Sequence, residues 1–307
     1  MPNPSLSLAH QVAQPAAGGA HPLVSIITPA FRAEATIGRA VRSVLAQQYV
    51  HWEMLIVSDD GRDYQQLLRA QGLADPRLRF FATGRVRSGP NVARNVALAE
   101  ARGELVAPLD ADDVYYPERL LALVPHALQY GMSGDNVVVV DEETRQQLGT
   151  LFPASADIRW LSLEEYAYTA TPMIFVFRRD AIGTPWDEDV DFGADTLFNL
   201  RGIETTELVP VMERVMHEYR ILPESICHAP GAHVRAERAY AYCLTQLMRT
   251  GLGLQTSAGI EVAHGMLLHK QYVNQRYAAS VAAGKCHNFQ EFAAQSNDAT
   301  LSLHPVS

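Results

Sequence analysis

Cysteine is scarce in this chain: Cys227, Cys243 and Cys286 are the three among 307 residues, with no close pair between them. That excludes a disulfide framework and leaves free, mostly inert thiols in a reducing compartment as the expectation. A basic excess is missing as well. Lys and Arg number 25 against 34 Asp and Glu, for a net charge of −9. This argues against nucleic acid as a partner and against a polybasic membrane anchor. No apolar run approaches the roughly 20 residues that span a bilayer. Residues 1–21 (MPNPSLSLAHQVAQPAAGGAH) have neither the basic start nor the continuous apolar stretch of a secretory signal. Their Ala, Pro, Gly and Ser content reads as a disordered tail, and the residues from about Asn297 look equally loose.

What is present fits a globular protein with a large core. Hydrophobic residues make up 48%, enough for one large domain or a domain with a subdomain. Through the first half, short β-branched runs alternate with amphipathic stretches. Residues 23–28 (LVSIIT) read as a buried strand that Pro29 stops. A helix over 35–46 places Ile37, Val41, Val44 and Leu45 on one face. A strand over 54–57 runs into Ser58-Asp59-Asp60-Gly61, and a helix over 64–70 leads to a strand over 78–81. Pro90 opens a helix that ends at Gly103, followed by strand 105–109, helix 117–130 and strand 136–140. Such alternation implies right-handed βαβ units and a mainly parallel sheet.

The segment LVAPLDADDVYYPERL, residues 105–120, is the most informative. It drives an apolar strand into Asp110, Asp112 and Asp113. Carboxylates so close repel unless a cation or a set of donors holds them. Mg²⁺ and Mn²⁺ prefer such oxygens and usually arrive with substrate phosphates. The alternative is an acidic loop lying near the positive end of the following helix. Phe31-Arg32, Asp59-Asp60 and Asp110-Ala111-Asp112 follow three different strands. A parallel sheet brings all three onto one rim, where ligands bind. That convergence favours the cation.

The second half is less regular. Ser162 and Glu165 match a capping box for a short helix, 173–178 reads as a strand, and 211–222 as a strand or hairpin. From Ala236 onward the chain looks helical. Val262, Met266, Val273 and Tyr277 repeat at helical spacing to about Ala283, a stripe for packing against the main domain, a second subunit or a lipid surface.

Taken together, PLVSIITPAFRAEATIGRAVRSVLAQ, HWEMLIVSDDGRD and GPNVARNVALAEARGELVAPLDADDVYYPERL resemble glycosyltransferase family 2, the inverting enzymes of the GT-A fold. The resemblance covers roughly residues 22–225, with four motifs in order. It implies an α/β, Rossmann-like sheet flanked by helices, with a nucleotide-binding half over 22–140 and an acceptor-binding half over 141–225. A mainly helical extension follows over 226–307. Arg32 stands where the family usually has Asn, and Arg62 where it often has Ser.

The resemblance also implies roles. Pro29, Ala30 and Phe31 would lie against the nucleotide, with the Phe31 ring beside the base or ribose. Asp60 would accept from the uracil imide N–H, and Asp59 would cap the following turn. Arg94 would reach the diphosphate or the acidic cluster. Asp110 and Ala111 would line the ribose side, with Asp110 also facing the metal or its water. Asp112 would ligate Mn²⁺ or Mg²⁺ directly, and Asp113 would support it from behind or cap the following helix. The base is implied within WDEDVDFGADTLFNLR, with Trp186-Asp187-Glu188 in the family's Phe-Asp-Glu slot. Asp195 is then the base, ahead of Asp191 and Asp189. His217, His228 and His233 lie where the family chain returns toward the site, and each is more simply a packing residue than a metal or phosphate ligand.

The implied function is metal-dependent, inverting transfer of a sugar from a nucleotide-diphosphate donor, a UDP-hexose foremost, to a hydroxyl of a glycan or lipid-linked acceptor. The expected setting is cytoplasmic, with peripheral contact at the inner membrane face and a homodimer left open. Rival classes are a non-catalytic sugar-nucleotide-binding relative and a retaining or nucleotidyl transferase on the same fold.

Overall fold

The computed structural model describes residues 21–169, 173–223 and 225–306. The expected disordered tail over 1–21 therefore lies, except for His21, outside the described residues. The elements in chain order are β1 (Val24–Ala30), α1 (Ile37–Leu45), β2 (Trp52–Ser58), α2 (Tyr64–Ala70), β3 (Leu78–Ala82), α3 (Pro90–Glu100), β4 (Leu105–Pro108), β5 (Val114–Tyr115) and α4 (Arg119–Tyr130). There follow β6 (Met132–Asp141), β7 (Gln147–Thr150), β8 (Ile158–Ser162), α5 (Leu163–Ala167), β9 (Val176–Arg178), α6 (Ala194–Thr206), β10 (Leu208–Ile221), α7 (Ala232–Thr250), α8 (Ser257–Ala282) and α9 (Phe289–Gln295).

Strands order as β3-β2-β1-β4-β9-β6-β10-β5, with β7 on β6 and β8 on β10. The first four are mutually parallel. Ala30 therefore lies beside Ser58, and Ile27 beside Pro108, so the residues after β1, β2 and β4 emerge on one rim. The parallel sheet expected from the sequence is confined to this half. Beyond β4 the sheet is mixed: β9 runs antiparallel between β4 and β6, while β6 and β10 are parallel to each other. β10 is long because it serves three neighbours, pairing with β8, β6 and β5 in turn, and its register shifts twice between Met212 and His217.

Pro29 does not end β1, contrary to the expectation from its missing N–H. Pairing with β4 stops at Ile27 and Pro108, so the side of β1 on which Pro29 would donate has no partner strand left.

Alternate residues of the central strands feed two cores. Val24, Ile26, Met54 and Ile56 pack with Val41, Val44, Leu120 and Leu123 of α1 and α4. Ile27, Leu55, Val57 and Val106 pack on the other face with Ala93, Ala97, Leu197 and Phe198 of α3 and α6. Cys243, Leu247, Ala263, Met266 and Leu267 of α7 and α8 join that second core, so the C-terminal helices are built into the domain rather than appended. The capping box at Ser162 and Glu165 forms with both bonds in place. The residues after Asn297, expected to be loose, are tied down: Thr150 and His304 exchange two backbone hydrogen bonds of 2.8 Å.

Candidate active site

The turn after β4 is closed by Asp113 N–H donating to the Asp110 carbonyl, 3.1 Å. From behind, the buried Tyr115 hydroxyl donates to the Pro108 carbonyl. Asp113 points inward. It is 1% exposed, its Oδ1 accepts the Arg220 N–H at 2.8 Å, and its Oδ2 faces His217 Nε2 at 3.3 Å. Burial pushes the Asp113 carboxyl up and the His217 imidazole down to about 4, driving both toward uncharged forms. Asp113 thus ties the turn to β10.

Asp112 is held by its backbone: Arg39 donates to its carbonyl at 2.9 Å, while the other arm of Arg39 pairs with Glu142, which also receives Arg220. Its carboxylate takes no hydrogen bond from another described residue. Burial, then the charges of Asp113 and Asp110, hold its pKa well above the usual range. Among the described residues no three His, Cys, Asp or Glu side chains converge as a closed metal cage. Two partly exposed carboxylates, Asp110 and Asp112, instead suit a hard cation that brings phosphate and water oxygens with it. The donor set fits such a cation and does not fit a structural metal.

Arg94 on α3 joins this turn to α6. Its guanidinium is 4% exposed, donates to Asp110 Oδ1 at 2.7 Å and lies 3.1 Å from Asp195 Oδ1. Burial opposes its charge, but Asp110 and Asp195 outweigh burial and raise its pKa.

Asp195 sits in the first turn of α6, where the helix dipole favours a carboxylate. Trp186 Nε1–H donates to its Oδ1 at 2.9 Å. That indole is 2% exposed and stacked on Phe198 at 3.6 Å with a 4° tilt. The competing acids turn elsewhere: Asp189 meets the Tyr242 hydroxyl at 3.4 Å, and Asp191 lies 3.9 Å from Arg235. Arg94, Asp110 and Trp186 act on Asp195, and its charge in turn raises the pKa values of Cys227 and Tyr166. Burial is the largest influence. Arg94 and Trp186 pull its pKa down, Asp110 pushes it up, and the net shift is upward.

The nucleotide side has more internal bonding than expected. Asp60 accepts from Arg32 N–H (2.6 Å), Tyr64 OH (2.9 Å), Ser58 Oγ–H (3.1 Å) and Arg62 N–H (3.1 Å). These donors overcome burial and hold its pKa below the usual carboxylate range. All four acceptor positions are filled, so an arriving imide must displace a donor. Asp59 caps the approach to α3, accepting from Thr83 Oγ1 and from the N–H groups of Ser88 and Gly89 at 2.8–2.9 Å. Ala30 is buried and Ala111 is 7% exposed, while Phe31 is 38% exposed. The Arg32 and Arg87 guanidiniums lie 5.4 and 5.7 Å from the Phe31 ring centre. Arg32 has φ +52°, a left-handed conformation that Asn adopts more readily than Arg.

The structure also brings in residues that the sequence did not single out. Asn91 Nδ2 donates to the carbonyls of Asp187 and Val190 (2.9 and 2.7 Å). Asn95 exchanges hydrogen bonds with the backbone of Trp186, both 2.9 Å. Asn91, Arg94 and Asn95 are spaced i, i+3 and i+4 on α3, one face by helical geometry. That spacing was the available signal. Arg87 and Cys227 carried none. His228 lies between Tyr219 OH (3.3 Å) and Gln290 (3.1 Å), and burial lowers its pKa to about 4. His233 packs on Tyr277.

Trp186→Phe is expected to keep the stack and lose the donor. A base works only when deprotonated, so activity falls as pH drops through its folded pKa. Removing a group that lowers this pKa moves the acid limb of the kcat profile to higher pH, by about one unit for a charge-assisted hydrogen bond. An unmoved limb contradicts the assignment.

The fold is that of the GT-A glycosyltransferases. Among solved structures, the 1–349 fragment of S. aureus TarS aligns with TM-score 0.52 at 15% identity, covering 85% of this chain and 91% of that one. The mannosyltransferase PcManGT from Pyrobaculum calidifontis, solved with GDP-Man and Mn²⁺, aligns with TM-score 0.53 at 17% identity, covering 89% and 78%. Residues 25–184 match the model of glycosyl transferase family 2, and the chain belongs to that family. Curated relatives include the putative colanic acid biosynthesis glycosyl transferase WcaA of Escherichia coli K12, 36% identical over 110 residues (36% of this chain, 39% of the relative). Another is the E. coli UDP-Glc:alpha-D-GlcNAc-diphosphoundecaprenol beta-1,3-glucosyltransferase WfgD, 36% identical over 111 residues (36% and 43%). The chain thus spans less than half the length of these relatives. Among the described residues no helix is long and apolar enough to cross a membrane.

Proposed function

We propose that this chain is a metal-dependent, inverting glycosyltransferase of polysaccharide assembly, moving a hexose from a UDP-sugar to a hydroxyl of a glycan or lipid-linked acceptor. The observation that carries the reading is the Arg94 bridge, 2.7 Å from Asp110 and 3.1 Å from Asp195. One guanidinium joins the acids of the donor side to the acid at the front of α6. Solved neighbours bound to UDP and to UDP-GlcNAc, and the UDP-Glc specificity in the WfgD name, support a UDP donor. Mn²⁺ with PcManGT supports the cation.

Residues 22–140 hold the donor in this reading, and 141–225 shape the acceptor side. Phe31 takes the base or ribose, and Asp60 exchanges one of its donors for the uracil imide. Asp112, with Asp110, would hold Mn²⁺ or Mg²⁺, which neutralises charge on the departing diphosphate. Asp195 Oδ1 is fixed by Trp186 and Arg94, leaving Oδ2 to take the proton of the acceptor hydroxyl. That oxygen then attacks the anomeric carbon opposite the leaving group, through an oxocarbenium-like state.

A panel of nucleotide sugars with and without Mn²⁺ tests this. The expected result is cation-dependent release of UDP from one donor and a product of inverted configuration. Binding without release indicates a non-catalytic relative, retention indicates a retaining enzyme, and pyrophosphate release indicates a nucleotidyltransferase.

A further inference from the structure

Residues 179–193, between β9 and α6, form neither strand nor helix. Yet Trp186 and Val190 within them are buried, 2% and 0% exposed. Buried backbone N–H and C=O groups need partners, and no strand runs alongside to supply them. Two side chains of α3 do so instead. Asn95 Nδ2–H donates to the Trp186 carbonyl and Asn95 Oδ1 accepts the Trp186 N–H, both at 2.9 Å. This is the paired donor and acceptor that one residue of an antiparallel strand would offer another. One turn earlier, the buried Asn91 donates to the carbonyls of Asp187 and Val190, at 2.9 and 2.7 Å. From the other side, Arg201 of α6 donates to the Pro185 carbonyl at 2.9 Å.

Asn is a poor helix former because its amide competes with the backbone. Two of them in a helix of 11 residues do not serve the helix. They serve the segment they hold.

That segment carries the indole whose Nε1–H meets Asp195 Oδ1 at 2.9 Å. The same face of α3 presents Arg94, 2.7 Å from Asp110 and 3.1 Å from Asp195, and Asn91 Oδ1 accepts from Arg94 Nη1 at 3.4 Å. Asp195 is therefore reached from α3 by two routes. One is direct, through Arg94. The other runs from Asn95 to the backbone of Trp186 and from its indole to the carboxylate. A single helix face fixes both the acid at the front of α6 and its distance from the acidic turn after β4.

We propose that Asn95 is a positioning residue for the transfer base. By gripping both backbone groups of Trp186, it keeps the indole N–H on Asp195 Oδ1 and leaves Oδ2 for the acceptor proton. Asn91 anchors the residues that follow. The proposal deepens the reading of Asp195 given above and rests on it.

Asn95→Ala, Trp186→Phe and the double variant of the full chain test this. Asn95→Asp, which keeps the side-chain size and the acceptor for the Trp186 N–H, stands in should Ala fail to fold. Asn95→Ala is expected to lower kcat about ten-fold, the rate equivalent of one lost hydrogen bond, and to leave the affinity for UDP with Mn²⁺ unchanged. In the Trp186→Phe background the same substitution should change kcat less than about two-fold, because the donor it places is already gone. In proton–nitrogen NMR spectra, the Trp186 indole N–H resonance, assigned by its absence in Trp186→Phe, should move in Asn95→Ala and in Asn95→Asp. Equal losses of kcat in both backgrounds, an unmoved indole resonance, or UDP affinity falling in step with kcat overturns the proposal, and Asn95 then serves the fold alone. Normal turnover by Asp195→Asn contradicts the base reading alone, and the indole resonance then still decides whether Asn95 places Trp186 on Asp195.

Discussion

Asp195→Asn is expected to bind UDP-sugar as the wild type does and to transfer sugar about 10²–10⁴-fold more slowly, the usual contribution of a positioned base. The amide keeps the shape of the carboxylate, and its oxygen can still accept from Trp186 Nε1–H and Arg94, which hold Oδ1 at 2.9 and 3.1 Å. What it cannot do is take a proton. The raised pKa of Asp195, caused first by burial, makes it a stronger base than an exposed Asp. Initial rates at saturating donor and a separate titration with UDP divide the two effects. Normal turnover by the Asn variant would show that another group takes the proton.

Asp112→Ala is expected to abolish cation-stimulated turnover of the donor while leaving the fold intact. No other described residue donates a hydrogen bond to this carboxylate, and Asp110 and Asp113 press on it with like charge. Its removal therefore costs no folded-state partner, and the melting temperature should not fall. The turn stays in place because Asp113 is locked to Arg220, the Asp112 carbonyl to Arg39, and Tyr115 to Pro108. A variant with normal Mn²⁺-stimulated release of UDP contradicts the role given to Asp112.

The nucleotide half was legible because its signals are local. Short β-branched runs and period-3.6 patterns place β1 to β4 and α1 to α3 within a few residues, and parallel pairing then fixes the shared rim. Pro29 misled because its effect depends on where a neighbouring strand stops, which sequence does not record. The second half resisted for the same reason. The strand read over 173–178 shortens to the three residues of β9, flanked by β4 and β6, while β7 and β8, which the sequence did not reveal, form against β6 and β10. Of the site, the acidic turn, Arg94 and Asp195 could be found by motif. The saturation of Asp60 could not, since the turn after β2 brings in Ser58 and Tyr64 locally and Arg32 reaches it from the end of β1. Trp186 matched a motif slot, but only the fold reveals that its indole N–H serves Asp195.

A crystal structure of the full chain grown with UDP and Mn²⁺ tests the central claim most directly. The account predicts the cation bonded to a carboxylate oxygen of Asp112 and to the diphosphate, on the rim that carries Phe31, Asp60 and Arg94. A cation bound with no oxygen from Asp112, or UDP seated at the opposite ends of the parallel strands, would contradict it.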